Sequence, residues 1–118
     1  MTITSSIPVL RGADYPRAKA FWVDTMGFSV AEEGGDPPRF GIFRRDQATV
    51  FVDTWKGADP APSPTWRAYF HVGDVDTFAA GLPAGTVIEG PRDAVYGMRE
   101  IEIVDPDGNR LCFGADNA

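Results

Sequence analysis

One structural pattern occurs twice in the sequence, and this repeat limits the possible folds more than any other feature. Asp14 and Asp74 stand 60 residues apart. Each is a predicted helix N-cap, because an apolar stripe at helical spacing follows it. A predicted strand precedes each aspartate, and further predicted strands follow each helix. A repeat of this length predicts two similar modules that pack together.

The first module is expected to contain one helix over residues 14–25, with Pro16 tolerated in its first turn. Gly27 follows, where a residue in the left-handed conformation commonly ends a helix. The apolar stripe of this helix consists of Ala18, Phe21, Trp22 and Thr25. The predicted strands are Thr4 to Arg11, Phe28 to Glu32, Arg39 to Arg44 and Ala48 to Asp53.

The second module repeats this order, with a helix expected near residues 74–82 and ended by Gly85. The segment from Asp105 to Asn109 (Asp-Pro-Asp-Gly-Asn) has turn chemistry and predicts a hairpin between the last two strands. The stripe of the second helix consists of Val75, Phe78, Ala79 and Leu82. The predicted strands are Trp66 to Val72, Thr86 to Glu89, Met98 to Val104 and Arg110 to Phe113.

The chain is therefore predicted to have an α+β fold made of two βαβββ modules. They span residues of about 3–55 and 65–115, within one domain over residues 1–118. Between them lies a linker, residues 56–64, in which prolines alternate with small residues. Such a segment is extended and continues neither a helix nor a central strand.

Charge and composition exclude several classes of function. The net charge is −6, and the excess of acidic residues falls in the second half of the chain. Nucleic acid is not an expected partner, because its binding requires a basic surface. No apolar run is long enough to span a membrane, and Met1 to Ser6 does not resemble a secretory signal. The single cysteine, Cys112, favours a reducing compartment, so a cytoplasmic location is expected.

The alternation of side chains along the strands separates an aliphatic face from a mixed one. In the strand that begins at Trp66, parity places Trp66, Ala68, Phe70 and Val72 on one face. The other face of the three central strands carries aromatic and ionisable groups: Phe51, Asp53, Arg67, Tyr69, His71, Met98, Glu100 and Glu102. These aromatic residues are too apolar for a fully solvated surface, so a semi-enclosed trough that binds a ligand is predicted.

Several motifs resemble one known family. Four segments are similar to those of the glyoxalase/bleomycin-resistance/extradiol-dioxygenase (vicinal oxygen chelate) superfamily. They are the start Ile7-Pro8-Val9-Leu10, the segment from Ala20 to Phe28, the segment Tyr96-Gly97-Met98-Arg99-Glu100 and the Asp105–Asn109 hairpin. The likeness covers nearly the whole chain and implies that each module forms a half-barrel. The start and the Tyr96–Glu100 segment look closest to the bleomycin-resistance branch.

The resemblance also bears on metal binding. Members of the superfamily that use a metal place its ligands at four strand positions, which correspond here to Ile7, Phe51, Arg67 and Cys112. Ile and Phe cannot ligate a metal ion, and Arg repels one, while a lone thiolate is a poor site. We therefore predict that the chain binds no metal and requires no cofactor.

The bleomycin-resistance branch sequesters a flat, cationic drug in a groove at a homodimer interface. The resemblance therefore implies antibiotic resistance by metal-independent ligand binding, in a homodimer whose partner molecule is small, planar and organic. No catalytic residue is predicted. The predicted binding residues are Phe40, Phe51, Asp53, Arg67, Tyr69, His71, Tyr96, Met98 and Glu100.

Alternatives remain open at this point. The first alternative is a binding protein. The second is an enzyme of the same fold (lyase, isomerase or dioxygenase), with either a divergent metal site or acid–base catalysis by His71 and a carboxylate. The third is a module that senses a metabolite. Phe40 and Phe51 are alternatively plain core residues, His71 a structural histidine, and Arg67 the ion-pair partner of Glu100 or Asp53.

Overall fold

The computed structural model describes residues 1–55 and 62–117. The chain divides into two compact units, Met1–Pro60 and Ala61–Ala118, here called unit 1 and unit 2. Each unit contains one four-stranded sheet and one helical segment. In each unit, the face of the sheet that points away from its helix is called the far face.

Unit 1 has the order strand, helix, then three strands. Its elements are β1 (Val9–Arg11), α1 (Tyr15–Ala20) with a π-helical extension (Phe21–Thr25), β2 (Ser29–Gly34), β3 (Phe40–Arg45) and β4 (Ala48–Asp53). The sheet order is β1-β4-β3-β2, with β1 parallel to β4 and the other pairs antiparallel. This arrangement is one βαβββ module.

Local chemistry accounts for the helix of unit 1. The Asp14 carboxylate accepts a hydrogen bond from the backbone N–H of Arg17 at 3.1 Å, which caps the helix as expected. Gly27 follows the helical segment with φ of 74°. The core on the helix side of the sheet includes the buried side chains Leu10, Ala18, Phe21, Trp22, Met26, Phe28, Phe43, Val50 and Val52.

Unit 2 repeats this order. Its elements are β5 (Trp66–His71), α2 (Val75–Ala80), β6 (Glu89–Asp93), β7 (Met98–Val104) and β8 (Arg110–Asp116), with sheet order β5-β8-β7-β6. Strand β5 is parallel to β8, and the other pairs are antiparallel. The Asp74 carboxylate caps α2 by accepting from the backbone N–H of Thr77 at 2.9 Å.

The core of unit 2 lies between α2 and its sheet. Phe113 stacks with Phe70 at 4.6 Å and with Phe78 at 5.0 Å between ring centroids. Ile101, Ile103 and Leu111 are fully buried beside them. The hairpin between β7 and β8 is closed by Asp105, whose carboxylate accepts from the backbone N–H groups of Asp107 and Asn109 and from the Asn109 side chain.

The structure confirms the predicted α+β fold with two half-barrel βαβββ modules. The bounds of β4 and β7 agree with the predicted strands. Three strands were placed wrongly: β1 starts at Val9 rather than at Thr4, β6 runs over Glu89–Asp93 rather than ending at Glu89, and β8 continues to Asp116 rather than ending at Phe113. Helix α2 ends at Ala80 and is capped by Gly81, not by Gly85. Most of the predicted linker, residues 56–61, lies outside the described residues.

Candidate functional site

The far face of unit 2 brings together most of the predicted binding residues. Strand register places them in ranks that run across the sheet. One rank contains His71, Gly114, Glu100 and Arg92, the next contains Tyr69, Cys112, Glu102 and Glu89, and a third contains Trp66, Arg110 and Val104. Met98 lies on the same face beside Asp116, at the end of the sheet. The face is therefore lined by aromatic rings, carboxylates and guanidinium groups.

Glu100 is the centre of this arrangement, because its side chain is fully buried. Its carboxylate accepts hydrogen bonds from the hydroxyl of Tyr69 at 2.8 Å and from Nη2 of Arg92 at 3.2 Å. The hydroxyl of Tyr96 lies 2.7 Å and 2.6 Å from its two oxygens. A buried carboxylate requires such donors, since burial without partners is costly.

Gly114 is the residue that lets Tyr69 reach Glu100. It occupies β8, between the strand of Tyr69 and the strand of Glu100. A Cβ atom at position 114 would overlap the Tyr69 hydroxyl and lie 3.3 Å from Cγ of Glu100. Only a glycine leaves the Tyr69 side chain room to cross β8, which explains a glycine in the interior of this strand.

The surroundings of Glu100 keep its neighbours protonated. Burial, together with the hydrogen bond to Glu100, raises the pKa of Tyr69. The hydrogen bond to Glu100 and burial raise the pKa of Tyr96 to about 12. Burial and the nearby Glu100 charge raise the pKa of Cys112 to about 12, so its thiol is neutral at physiological pH.

A second buried carboxylate, Glu102, lies next to Glu100 on the same face. Its oxygens accept from Nη1 of Arg92 at 2.7 Å and from Nη1 of Arg110 at 2.8 Å. Burial alone would raise the pKa of Glu102, but the two guanidinium groups outweigh burial and lower it. Arg92 therefore bridges Glu100 and Glu102, and the two carboxylates share one cation.

Aromatic rings form a row along β5. The ring centroids of Trp66 and Tyr69 are 5.3 Å apart, and those of Tyr69 and His71 are 5.2 Å apart. Strand alternation wrongly placed Trp66 on the opposite face. A β-bulge between Trp66 and Ala68 shifts the register and turns Trp66 to the side of Tyr69. Trp66 remains partly exposed, at 39%.

Arg67 lies in this bulge and is exposed. One interpretation of the sequence made Arg67 the ion-pair partner of Glu100 or Asp53. In the structure, the arginine that pairs with Glu100 is Arg92.

The other predicted residues belong to unit 1. Phe40 and Phe51 meet edge to face on its far face, with ring centroids 5.4 Å apart. Both are half-buried rather than enclosed in the core. Asp53 pairs with Phe40 in the strand register, and its Oδ1 accepts from the backbone N–H of Trp55 at 2.9 Å. The far face of unit 1 thus carries an aromatic pair with one nearby carboxylate.

Sequence reasoning missed the roles of three residues on the far face of unit 2: Arg92, Arg110 and Gly114. Arg92 was not assigned to any strand, because β6 was predicted to end before it. Gly114 was missed because the last strand was predicted to end at Phe113; within β8 as observed, an isolated glycine is a known signal of close approach. Arg110 was recognised only as the start of a strand.

The donor set at the four positions that hold metal in related proteins does not suit a divalent cation. Ile7 and Phe51 have no donor atom, Arg67 carries positive charge, and the Cys112 thiol is held neutral. Within residues 1–55 and 62–117, no group of three or more His, Cys, Asp or Glu residues is arranged to hold a metal ion.

Known proteins resemble this chain in sequence and fold. The model of the Glyoxalase/Bleomycin resistance protein/Dioxygenase superfamily matches residues 6–113. No curated protein matches the sequence significantly. The described helices include none that is both long and apolar enough to cross a membrane.

Three solved structures illustrate the likeness in fold. A bleomycin-binding protein from the bleomycin producer Streptomyces verticillus, complexed with copper(II)-bleomycin, has 24% identity and a TM-score of 0.73, over 98% of both chains. TnmS3, an antibiotic binding protein from Streptomyces sp. CB03234, has 23% identity and a TM-score of 0.77, also over 98% of both chains. A lactoylglutathione lyase from Agrobacterium tumefaciens has 18% identity and a TM-score of 0.72, over 95% of this chain and 92% of its own. At these identities the likeness establishes the fold.

Proposed function

Because this chain belongs to the Glyoxalase/Bleomycin resistance protein/Dioxygenase superfamily, we propose that it binds and sequesters a planar organic ligand without the help of a metal ion or cofactor. The far face of unit 2 carries the proposed binding residues Tyr69, His71, Tyr96 and Glu100. Phe40, Phe51 and Asp53, also predicted to bind ligand, lie together on the far face of unit 1. Two of the similar structures are binding proteins by their names, one for bleomycin and one for an antibiotic, which supports a binding role.

The arrangement of Tyr96 is the observation that carries this proposal. The residue is 59% exposed, yet its hydroxyl donates to the fully buried carboxylate of Glu100. The hydrogen bond anchors the end of the ring, while the residue stays open to solvent. A rigid, exposed aromatic ring is a favourable surface for stacking a flat molecule, because little conformational freedom is lost on binding.

A comparison of Tyr96 with its neighbour Val95 tests the proposal. Bleomycin and the planar cation proflavine are titrated into the protein and followed by calorimetry and by thermal melting. Tyr96→Ala should weaken binding by about 5- to 150-fold, as expected for loss of an aromatic anchor worth roughly 1–3 kcal/mol. Val95→Ala is the matched control, because Val95 is fully exposed on the same loop and should leave the affinity unchanged.

Tyr96→Phe separates stacking from hydrogen bonding. It keeps the ring and removes the donor to Glu100, so it should lose less affinity than Tyr96→Ala. The proposal fails if none of the planar compounds shifts the melting temperature. It also fails if the two alanine variants bind equally well.

A second candidate function is acid–base catalysis on the same scaffold. One similar structure is a lactoylglutathione lyase, and Glu100 with two tyrosine hydroxyls is a possible proton-transfer group. An assay for cleavage or formation of lactoylglutathione, with Glu100→Gln as the inactive control, tests it. Activity lost in that variant would favour the enzyme over the binding protein.

A further inference from the structure

A cleft of about 600 Å³ lies at one end of the far face of unit 2. Its lining residues are Pro64, Thr65, Trp66, Glu89, Glu102 and Arg110. None of them belongs to the set of binding residues predicted from the sequence. The cleft is centred on the rank of Trp66 and Arg110, which face each other across the β5–β8 pair, and it does not include Glu100. It is large enough for a single ring with a substituent.

Trp66 provides a flat wall for this cleft. The β-bulge after Trp66 turns its ring to the far face, where 39% of the residue stays exposed. Bulges commonly redirect a side chain beside a binding site. One side of the ring packs against Tyr69, with the ring centroids 5.3 Å apart, and the two rings are tilted by 58°.

Arg110 provides a hydrogen-bond donor that the protein itself does not satisfy. Its Nη1 donates to Oε1 of Glu102 at 2.8 Å. Its Nε is buried and has no acceptor among the residues that the structure describes. Buried donors in native proteins nearly always have a partner, so this one calls for water or a ligand atom.

Glu102 holds this guanidinium group in place and contributes no free negative charge. One of its oxygens is occupied by Arg110, and the other by Arg92 at 2.7 Å. Arg92 also lies 3.6 Å from Glu89, the second carboxylate that lines the cleft. Arg92 is shared by Glu89, Glu100 and Glu102, whereas Arg110 contacts Glu102 alone among the carboxylates that the structure describes. The unsatisfied group at the cleft is therefore the Nε–H of Arg110, which requires an acceptor and not a cation.

We propose that this cleft is a subsite for a flat ring that carries a neutral hydrogen-bond acceptor, such as a carboxamide. The ring stacks on Trp66, and the carbonyl oxygen accepts from the guanidinium of Arg110. The subsite deepens the proposed ligand-binding function and rests on it. The aromatic and acidic residues around Glu100 would select a ring or a cation. The cleft adds a preference for a hydrogen-bond acceptor on the ring, which those residues do not specify.

The test uses benzamide, a flat ring with a carboxamide, as the probe for the full-length protein. In an NMR titration, the signals of the Trp66 indole N–H and of the Arg110 Nε–H should both shift and saturate together. Cyclohexanecarboxamide keeps the amide and lacks the flat ring. It should bind about 2- to 10-fold more weakly, as expected for loss of aromatic stacking.

Two variants separate the ring contact from the donor. Trp66→Ala should weaken benzamide binding by about 2- to 10-fold. Arg110→Lys keeps a positive charge beside Glu102 but removes the Nε–H, and should weaken it by a similar factor. The spectrum of each variant is first compared with that of the unmodified protein, which shows whether the fold is retained. Trp66→Phe is a milder variant of the ring contact, and its loss of benzamide affinity should be smaller than that of Trp66→Ala.

The outcomes distinguish this subsite from the site around Glu100. If benzamide moves neither signal, the donor of Arg110 is satisfied by water alone and the subsite is overturned. If Tyr96→Ala still weakens proflavine binding in that case, the proposed function stands without the subsite. If benzamide binds and Tyr96→Ala leaves its affinity unchanged, the cleft is a distinct subsite, as proposed.

Discussion

Replacement of Gly114 by alanine tests how the centre of the candidate site is built. The added Cβ would overlap the hydroxyl of Tyr69 and lie 2.8 Å from its Cζ. Backbone strain is not involved, because Gly114 lies in strand β8 and does not adopt a positive φ. The two closest contacts of the added Cβ are both with Tyr69, which therefore has to move away from Glu100, and the 3.3 Å contact with Cγ of Glu100 is less severe.

The expected cost follows from that movement. Displacing Tyr69 breaks its 2.8 Å hydrogen bond to the buried carboxylate, and a hydrogen bond to a charged group contributes about 1.5–3 kcal/mol. If Tyr69 stays, the overlap costs a similar amount, about 1–3 kcal/mol. These two costs are alternatives, because one movement relieves the overlap and breaks the bond. The lower chain entropy of alanine in the unfolded state offsets about 0.4–1 kcal/mol, which leaves a net loss of about 0.5–2.5 kcal/mol when the hydrogen bond is broken.

Urea unfolding of four proteins measures this loss: the unmodified chain, Gly114→Ala, Tyr69→Phe and the double variant. Tyr69→Phe removes the hydroxyl that the new Cβ would meet, so Gly114→Ala should cost less in that background. A residual cost remains, because the ring atom Cζ still lies too close. The expected coupling between the two substitutions is about 1 kcal/mol, within the range for residues in contact. Gly73→Ala is the matched control, since a Cβ there meets nothing within 4 Å.

Two results would refute this account. If the two substitutions are additive within about 0.3–0.5 kcal/mol, they do not act through a shared contact. If Gly114→Ala costs no more than Gly73→Ala, Tyr69 does not need the space above β8.

Two further predictions concern alkaline pH and assembly. The folded state raises the pKa of Cys112 from 9.0 to about 12 and that of Tyr96 from 10.0 to about 12. The unfolded chain therefore releases these two protons at lower pH than the folded chain does. The stability that the two protonated groups contribute is complete below about pH 9 and is lost as the pH rises towards 12. Unfolding free energies measured from pH 8 to 11 should therefore decline above pH 9. Cys112→Ala should delay the onset of this decline to about pH 10. An unchanged onset in that variant would show that Cys112 is not responsible for the decline. The protein is also expected to be a homodimer, and sedimentation that detects only monomer at micromolar concentration would contradict this.

Local signals in the sequence were sufficient for most of the fold. Asp14 and Asp74 cap the helices as predicted, because an N-cap depends on a few neighbouring backbone groups. Strand β7 was predicted with its observed bounds, since its alternation is regular and the Asp105 turn ends it. Strand β6 was misplaced, because a register shift between Glu89 and Arg92 breaks the alternation on which such predictions depend.

The candidate site was less accessible from sequence than the fold. Alternation placed Glu100 and Tyr69 on one face, but it could not reveal that they are hydrogen-bonded across an intervening strand. That contact depends on Gly114, which comes from a third segment of the chain. Trp66 was assigned to the wrong face, because one inserted residue reverses the parity of everything before it. Long-range contacts and bulges are thus the features that periodicity does not contain.

The two units repeat a backbone but not its chemistry. Unit 1 also has a tyrosine–carboxylate hydrogen bond, from Tyr15 to Glu33 at 2.7 Å. It lies on the helix side, since Tyr15 belongs to α1, and there it links the helix to the sheet. The bond between Tyr69 and Glu100 lies on the far face and links no helix. A buried charge there adds little to folding, because desolvation offsets much of its pairing energy. Its place on the far face therefore fits the binding role that we propose for unit 2.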